Sequence, residues 1–217
     1  NYLWTDFNDF LKVYDLASSV IKTPEDYYDL TLDYLERVAA EGGLYVELLA
    51  SADHVFNLGM TLKDQQDALV QAIDEARESV GVETRISQTI VRHYGPDKAI
   101  AAAKAIVEHP HPYFTGFQMA GAEDAHTPAD FRPAYDMAAE AGLRCTAHTG
   151  EWLGPDSIRE TLAALPMVER LGHGVRAIHD ADLVRELAER QMPFEVCPGS
   201  NNALKVFGSP EEHALRG

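Results

Sequence analysis

Six short apolar runs, separated by stretches whose apolar residues recur at helical spacing, constrain this 217-residue chain more than any other feature. The runs cover residues 44–50, 83–91, 114–120, 144–148, 170–174 and 194–198. Ahead of them, Phe7, Phe10, Leu11 and Tyr14 fall on one side of a helix over 6–20. Thr23-Pro24-Glu25-Asp26 then reads as an N-cap, a proline at the first helical position and acids at the positive helix end. That second helix should run to about residue 40, where Glu41-Gly42-Gly43 stops it. Further helices are expected over 61–80, 96–108, 127–140, 155–165 and 180–190, and Ser209-Pro210-Glu211-Glu212 opens a last one. Strands joined by helical crossovers pair in parallel through right-handed connections. Their apolar, unalternating character suits a sheet covered by helices. Two architectures remain: an open doubly wound sheet, and a (β/α)8 barrel with about six of its eight units. No G-x-G-x-x-G or G-x-x-x-x-G-K-[ST] occurs, which counts against a nucleotide-binding open sheet.

Charge and cysteine content narrow the function classes. With 35 acidic and 18 basic residues the formal net charge is −17, which disfavours binding to nucleic acid or to an anionic membrane. No apolar run approaches the ~20 residues of a membrane span. Cys145 and Cys197 each sit in a strand-like run, so a disulfide framework is not expected, and a reducing, cytoplasmic setting fits. No signal peptide is visible at Asn1-Tyr2-Leu3-Trp4, and no initiator Met precedes the first helical pattern. The expectation is one domain over 1–217 that is part of a longer protein.

Polar residues gather just past the C-terminal ends of the runs, where both architectures build their active sites. One run ends in His148-Thr149-Gly150-Glu151, the next in Gly172-His173-Gly174, and a third continues through Phe194-Glu195-Val196-Cys197-Pro198-Gly199-Ser200-Asn201. Neighbouring parallel strands lie only ~5 Å apart, so His148, Glu151 and His173 can converge on one pocket. A neutral imidazole is a common metal ligand. A carboxylate past a glycine sits on the turn, where it can reach over a pocket as a proton shuttle.

These segments resemble the adenosine deaminase family of metal-dependent (β/α)8 barrels. The likeness includes Tyr45-Val46-Glu47 and Met119-Ala120-Gly121-Ala122-Glu123, then Ala147-His148-Thr149-Gly150-Glu151, Leu171-Gly172-His173-Gly174 and the 194–201 segment. Singly each is weak; in this order and spacing the set is specific. The resemblance implies that His148 is a zinc ligand and that Glu151 is the acid that protonates purine ring nitrogen 1. It implies that His173 orients the hydroxide on the metal, and that the Gly121 N–H bonds ring nitrogen 3. Phe7, Phe10, Leu11 and Tyr14 fall where the family has an apolar helix partly covering the substrate. Zinc would bring the pKa of bound water to about 7, and Glu151 would have to be protonated when substrate binds. The cysteine-rich zinc deaminases reach similar chemistry with a Pro-Cys-x-x-Cys that is absent here.

Two parts of the family pattern are missing: a His-x-His pair on the first strand and a Ser-Asp-Asp-type segment on the last. His109-Pro110-His111 has the letters of the first, but it precedes the strand at 114–120 and reads as a solvated loop. The expectation is that the first and eighth strands lie outside this sequence. A catalytic zinc usually has three protein ligands, and one is visible, so the chain alone should be inactive. The intact protein should use one zinc or similar divalent ion. The resemblance implies hydrolytic deamination of an aminopurine, adenosine first, with adenine or another 6-substituted purine as the alternative. A non-catalytic purine-binding barrel that has lost its ligands, and a metal hydrolase of amides or esters, also stand. The expected partner is a small purine, with homo-oligomer formation left open.

Each residue also has an ordinary reading. His148 can end a strand, Glu151 can favour a helix start, and His173 and Gly121 can serve turns. The Phe7 to Tyr14 stripe can be core. Cys197-Pro198 is expected to pack at a strand end, with Ser200 and Asn201 supporting the site. His54, His93, His126, His179 and His213 carry no motif and are expected at the surface or in caps.

Overall fold

The computed structural model describes residue 4 and residues 7–216, apart from the side chains of Asn8 and Arg216. Two helices, α1 (Phe7–Ser18) and α2 (Pro24–Ala40), lead into β1 (Tyr45–Ser51), α3 (Ala52–Asn57), α4 (Leu62–Ser79) and β2 (Glu83–Val91). Next come α5 (Pro96–Glu108), β3 (Phe114–Ala120), α6 (Arg132–Glu140), β4 (Arg144–Thr149) and α7 (Pro155–Ala164). The chain continues through β5 (Val168–His173), α8 (Ala181–Glu189), β6 (Phe194–Glu195) and α9 (Pro198–Ala203).

The six strands are parallel and lie in chain order, β1 to β6. A doubly wound sheet reverses its strand order at a switch point; this one does not. The sheet also curls. Arg170 on β5 places Nη2 2.6 Å from Glu47 on β1 and Nε 2.8 Å from Glu195 on β6. In a flat sheet β1 and β5 would be four strand spacings apart, roughly 19 Å at ~4.8 Å each. The contact therefore requires the closing curvature of a barrel, with six strands among the described residues.

Register sets which residues face inward. Ser51 aligns with Thr89, Thr89 with Gln118, Gln118 with Thr146 and Thr146 with Arg170. Two residues further along β4 and β5, His148 aligns with Gly172, and Gly172 with Glu195. The alternate residues Phe117, Met119, Cys145, Ala147 and Leu171 face out and are buried against α5 to α8. Ala102, Ala103, Ala134 and Ala138 are fully buried there, small enough to bring α5 and α6 close to the sheet. A second core joins Leu35 of α2 to Leu69, Ile73 and Ala76 of α4 and Ile86 of β2.

Local chemistry explains the helix starts. Thr23 with Asp26 and Thr61 with Asp64 form reciprocal capping boxes. The helix expected over 127–140 begins instead with a 3₁₀ turn, Pro128–Phe131, and becomes α-helical at Arg132. Pro133 has no N–H to bond the preceding turn, so the pattern breaks there. The strand expected over 194–198 stops at Glu195, because Pro198 starts α9. The 209–212 segment gives 3₁₀ turns, Pro210–Glu212 and Ala214–Arg216, where an α-helix was expected. Both cysteines are free thiols, Cys145 buried and Cys197 exposed. Among the described residues no helix is long and apolar enough to cross a membrane.

Candidate active site

The end of β4 is arranged around two glycine-dependent turns. His148 keeps the inward direction of Thr146, and Gly150 then takes φ +66°. A Cβ at Gly150 would stand 2.5 Å from Ile158, so the turn that delivers Glu151 admits only glycine. Alternation along β5 would send His173 outward with Leu171, since Thr149, not His148, is its register partner. His173 instead adopts φ +62°, a left-handed backbone rare for a residue with a Cβ. Its ring lies edge-on to that of His148 with centroids 5.0 Å apart. His173 Nε2 is 3.6 Å from Glu151 Oε2. The glycine at 172 makes room, because a Cβ there would fall 2.7 Å from His148 Nδ1.

A chain of hydrogen bonds fixes which nitrogen of His173 carries its proton. The Leu215 N–H donates to His213 Nδ1, 3.1 Å. His213 Nε2 must then hold the hydrogen, and it faces Asn201 Oδ1 at 3.0 Å. Asn201 consequently turns its amide nitrogen to Glu151 Oε1, 3.3 Å, and to His173 Nδ1, 3.2 Å. His173 Nδ1 is thus an acceptor, and the neutral ring carries its proton on Nε2. Asn201 and His213 are both buried.

Burial governs the charges. It pushes Glu151 up to about 7, helped by the negative charge of Glu123 and opposed by the Asn201 bond. Burial holds His148 down to about 3, with His173 adding to the effect. It holds His173 down to about 4, against the pull of Glu123. Near neutral pH the site therefore presents two uncharged imidazoles and a carboxyl that can hold or release a proton.

These groups open on a cleft of about 810 Å³ that is also lined by Phe7, Phe10, Leu11, Tyr14 and Gly121. Helix α1 lies along it. Phe7 meets Trp152, next to Glu151, with centroids 5.4 Å apart, and Tyr14 meets His54 at 5.8 Å. Gly121 has φ +104°, and a Cβ would stand 2.8 Å from His93 Nδ1. Every site residue singled out from sequence lines this one cleft.

Three histidines depart from expectation. His54 and His93 line the cleft, and His213 is buried in the Asn201 chain. His126 and His179 are exposed, as expected. His54 and His93 lie just past the ends of β1 and β2, so the strand-end rule that singled out His148 and His173 would have found them. Asn201, expected to support the site, does so from α9 through its bonds to Glu151 and His173. Glu123 is a further buried carboxylate in the loop after β3. His109 and His111 sit between α5 and β3, at the opposite end of the strands.

Among the described residues no group of three or more His, Cys, Asp or Glu side chains is arranged to hold a metal ion. The residues present fit one in part: His148 is uncharged near neutral pH, and its Nδ1 is buried without a hydrogen-bond partner.

The family model described as Adenosine deaminase matches residues 3–217. An adenine deaminase of Rhizobium rhizogenes is 44% identical over 215 residues, which is 99% of this chain and 66% of that protein. The crystal structure of an adenine deaminase from Arthrobacter aurescens superposes with TM-score 0.93 at 33% identity, over 99% of this chain and 65% of the other. An amidohydrolase from Burkholderia ambifaria, with bound Zn, gives TM-score 0.87 at 27% identity, over 95% of this chain and 58% of the other. The chain thus spans just under two thirds of the length of the curated relatives it matches.

Proposed function

The chain belongs to the adenosine deaminase family, and on that premise we propose that the whole protein hydrolytically deaminates an aminopurine, with adenine as substrate. The observation that carries this reading is the meeting of His148, Glu151 and His173 in one cleft that Gly121 also lines. Adenine replaces the adenosine that the sequence resemblance put first, because the curated relatives at 40–44% identity are named adenine deaminases. A purine's carbon 6 becomes electrophilic when ring nitrogen 1 gains a proton. Glu151, poised near neutrality by burial, is suited to hold that proton and give it up there. His173 offers its Nε2–H toward the same space, where it can orient the incoming water. The Gly121 N–H is proposed to bond ring nitrogen 3, fixing the purine edgewise. Phe7, Phe10, Leu11 and Tyr14 would cover the ring and exclude bulk water.

The whole protein is further proposed to use one zinc or similar divalent ion, held by His148 together with ligands from outside the described residues. When bound, such an ion supplies an activated water at neutral pH. By itself this chain is proposed to be inactive. A cytoplasmic location, consistent with two free thiols, belongs to the same proposal.

The test is ammonia release by the full-length protein, with adenine and adenosine measured side by side and metal content determined. The expected result is turnover of adenine and little of adenosine. A kcat/KM for adenosine at or above that for adenine would reverse the choice of substrate. Bound metal with no ammonia from either would leave only a purine-binding barrel.

A further inference from the structure

We propose that Glu123 is a positioning residue that holds the Glu151 loop in register with Gly121, so that the two can grip one purine ring. The inference rests on the functional reading above and deepens it. Glu123 follows β3 two residues after Gly121, and its side chain is buried. Its Oε2 accepts the backbone N–H groups of Glu151 at 3.2 Å, Trp152 at 2.8 Å and Leu153 at 3.0 Å. Its Oε1 accepts the Gly150 N–H at 2.5 Å and the Ser157 hydroxyl at 2.7 Å, with the Thr149 hydroxyl at 3.4 Å.

Four consecutive backbone amides, residues 150 to 153, thus end on one carboxylate from the loop after β3. Backbone amides can only donate, and an ionised carboxylate offers about four lone-pair sites. The loop stands between β4 and α7, where its own N–H groups have no helical partners. Glu123 therefore does for this loop what an N-cap does for a helix, but from the neighbouring strand-end loop. A cap of that origin does more than satisfy donors. It ties the backbone carrying the proposed ring acid to the backbone carrying the proposed ring-nitrogen donor. The distance between the two grips is then set by one side chain and not by two independent turns.

A shift of about 1 Å in a catalytic group can lower turnover ~10²-fold. Glu123→Gln keeps the shape and turns an NH2 toward the loop amides. In the full-length enzyme with adenine, it should lower kcat by about that factor while KM and metal content change little. Ser157→Ala removes one donor outside the loop backbone and should lower kcat only a few-fold, again at unchanged KM. Glu151→Gln is measured alongside. If Glu151→Gln is inactive while Glu123→Gln keeps kcat within twofold, or changes KM alone, the positioning role is overturned and the functional reading stands. If Glu151→Gln is fully active, the functional reading falls and this proposal with it. Should Glu123→Gln not fold, Ser157→Ala decides: an unchanged kcat overturns the proposal.

Discussion

Two polar clusters sit inside the same barrel, one centred on Arg170 and one on His148, and they differ in whether a cation answers the buried carboxylates. In the first cluster Arg170 lies between Glu47 and Glu195, with Gln118 donating to Glu195 at 2.9 Å and the Tyr45 hydroxyl to Glu47 at 3.0 Å. The hydrogen bond from Arg170 holds Glu47 below the usual carboxylate range, while burial pushes Glu195 up against the pull of Arg170. In the second cluster His148, His173 and Glu151 have no cation among them, and burial drives all three toward neutrality. Opposite charges in one cluster lock strands together. Uncompensated burial in the other leaves a proton free to move. Interior polarity alone does not mark a site; unbalanced interior polarity does.

The largest effect expected from breaking this contrast is at Glu151. Glu151→Gln in the full-length protein should keep the metal and lose at least ~10²-fold in turnover, read from kcat and metal analysis. Arg170→Leu should do the reverse. It leaves two carboxylates facing each other and should cost about 1.5–3 kcal/mol of stability, the range for hydrogen bonds to charged groups. Denaturant unfolding measures this, and kcat per folded molecule should stay near normal. Equal losses of turnover in both variants would erase the distinction between the clusters. Gly121→Ala comes next. A left-handed position and a Cβ 2.8 Å from His93 should raise KM for adenine several-fold and cost about 1–2 kcal/mol. An unchanged KM would remove Gly121 from the purine's path.

The smallest effect is a pH signature of the metal-free chain. Glu151 is raised from 4.5 to about 7 on folding, so its proton favours the folded state fully below pH 4.5, and that contribution is lost as pH rises through 7. His148 and His173 are lowered from 6.5 to about 3 and about 4. Their contribution is present above pH 6.5 and lost as pH falls through 4 and 3. Thermal unfolding should therefore show lower Tm at both ends of this range. Glu151→Gln should lessen the fall in stability from pH 4.5 to 7, where Glu195, also raised by burial, contributes in the same direction, and should leave the acid limb of the two histidines in place.

Much of this was legible in sequence because the relevant physics is local. The strand at 83–91, the helix at 96–108 and the strand at 114–120 emerge with the expected bounds, since glycine or proline stands at or near their ends. Helical crossovers narrowed the fold to an open sheet or a barrel, and the family resemblance pointed to the barrel. What stayed hidden depends on single backbone angles or on distant partners. Nothing in Leu171-Gly172-His173-Gly174 announces that His173 turns left-handed and so changes faces. The tie from Glu123 to the Glu151 loop joins residues 27 to 30 positions apart. Helix α3 begins directly at the end of β1, with Ser51 as its N-cap, and has too few residues to show a period.

The route from Leu215 through His213 and Asn201 to His173 has a direction, and its direction is stored in one amide. Asn201→Asp exchanges a nitrogen for an oxygen and almost nothing else. Both downstream neighbours would then meet an acceptor where they now meet a donor. The imidazole would have to move its hydrogen to the other nitrogen or take up a second one, and the acid beside it would be pressed to stay protonated. A change of one atom, at a residue that performs no chemistry, would in this way rewrite the resting state of the two side chains next to it.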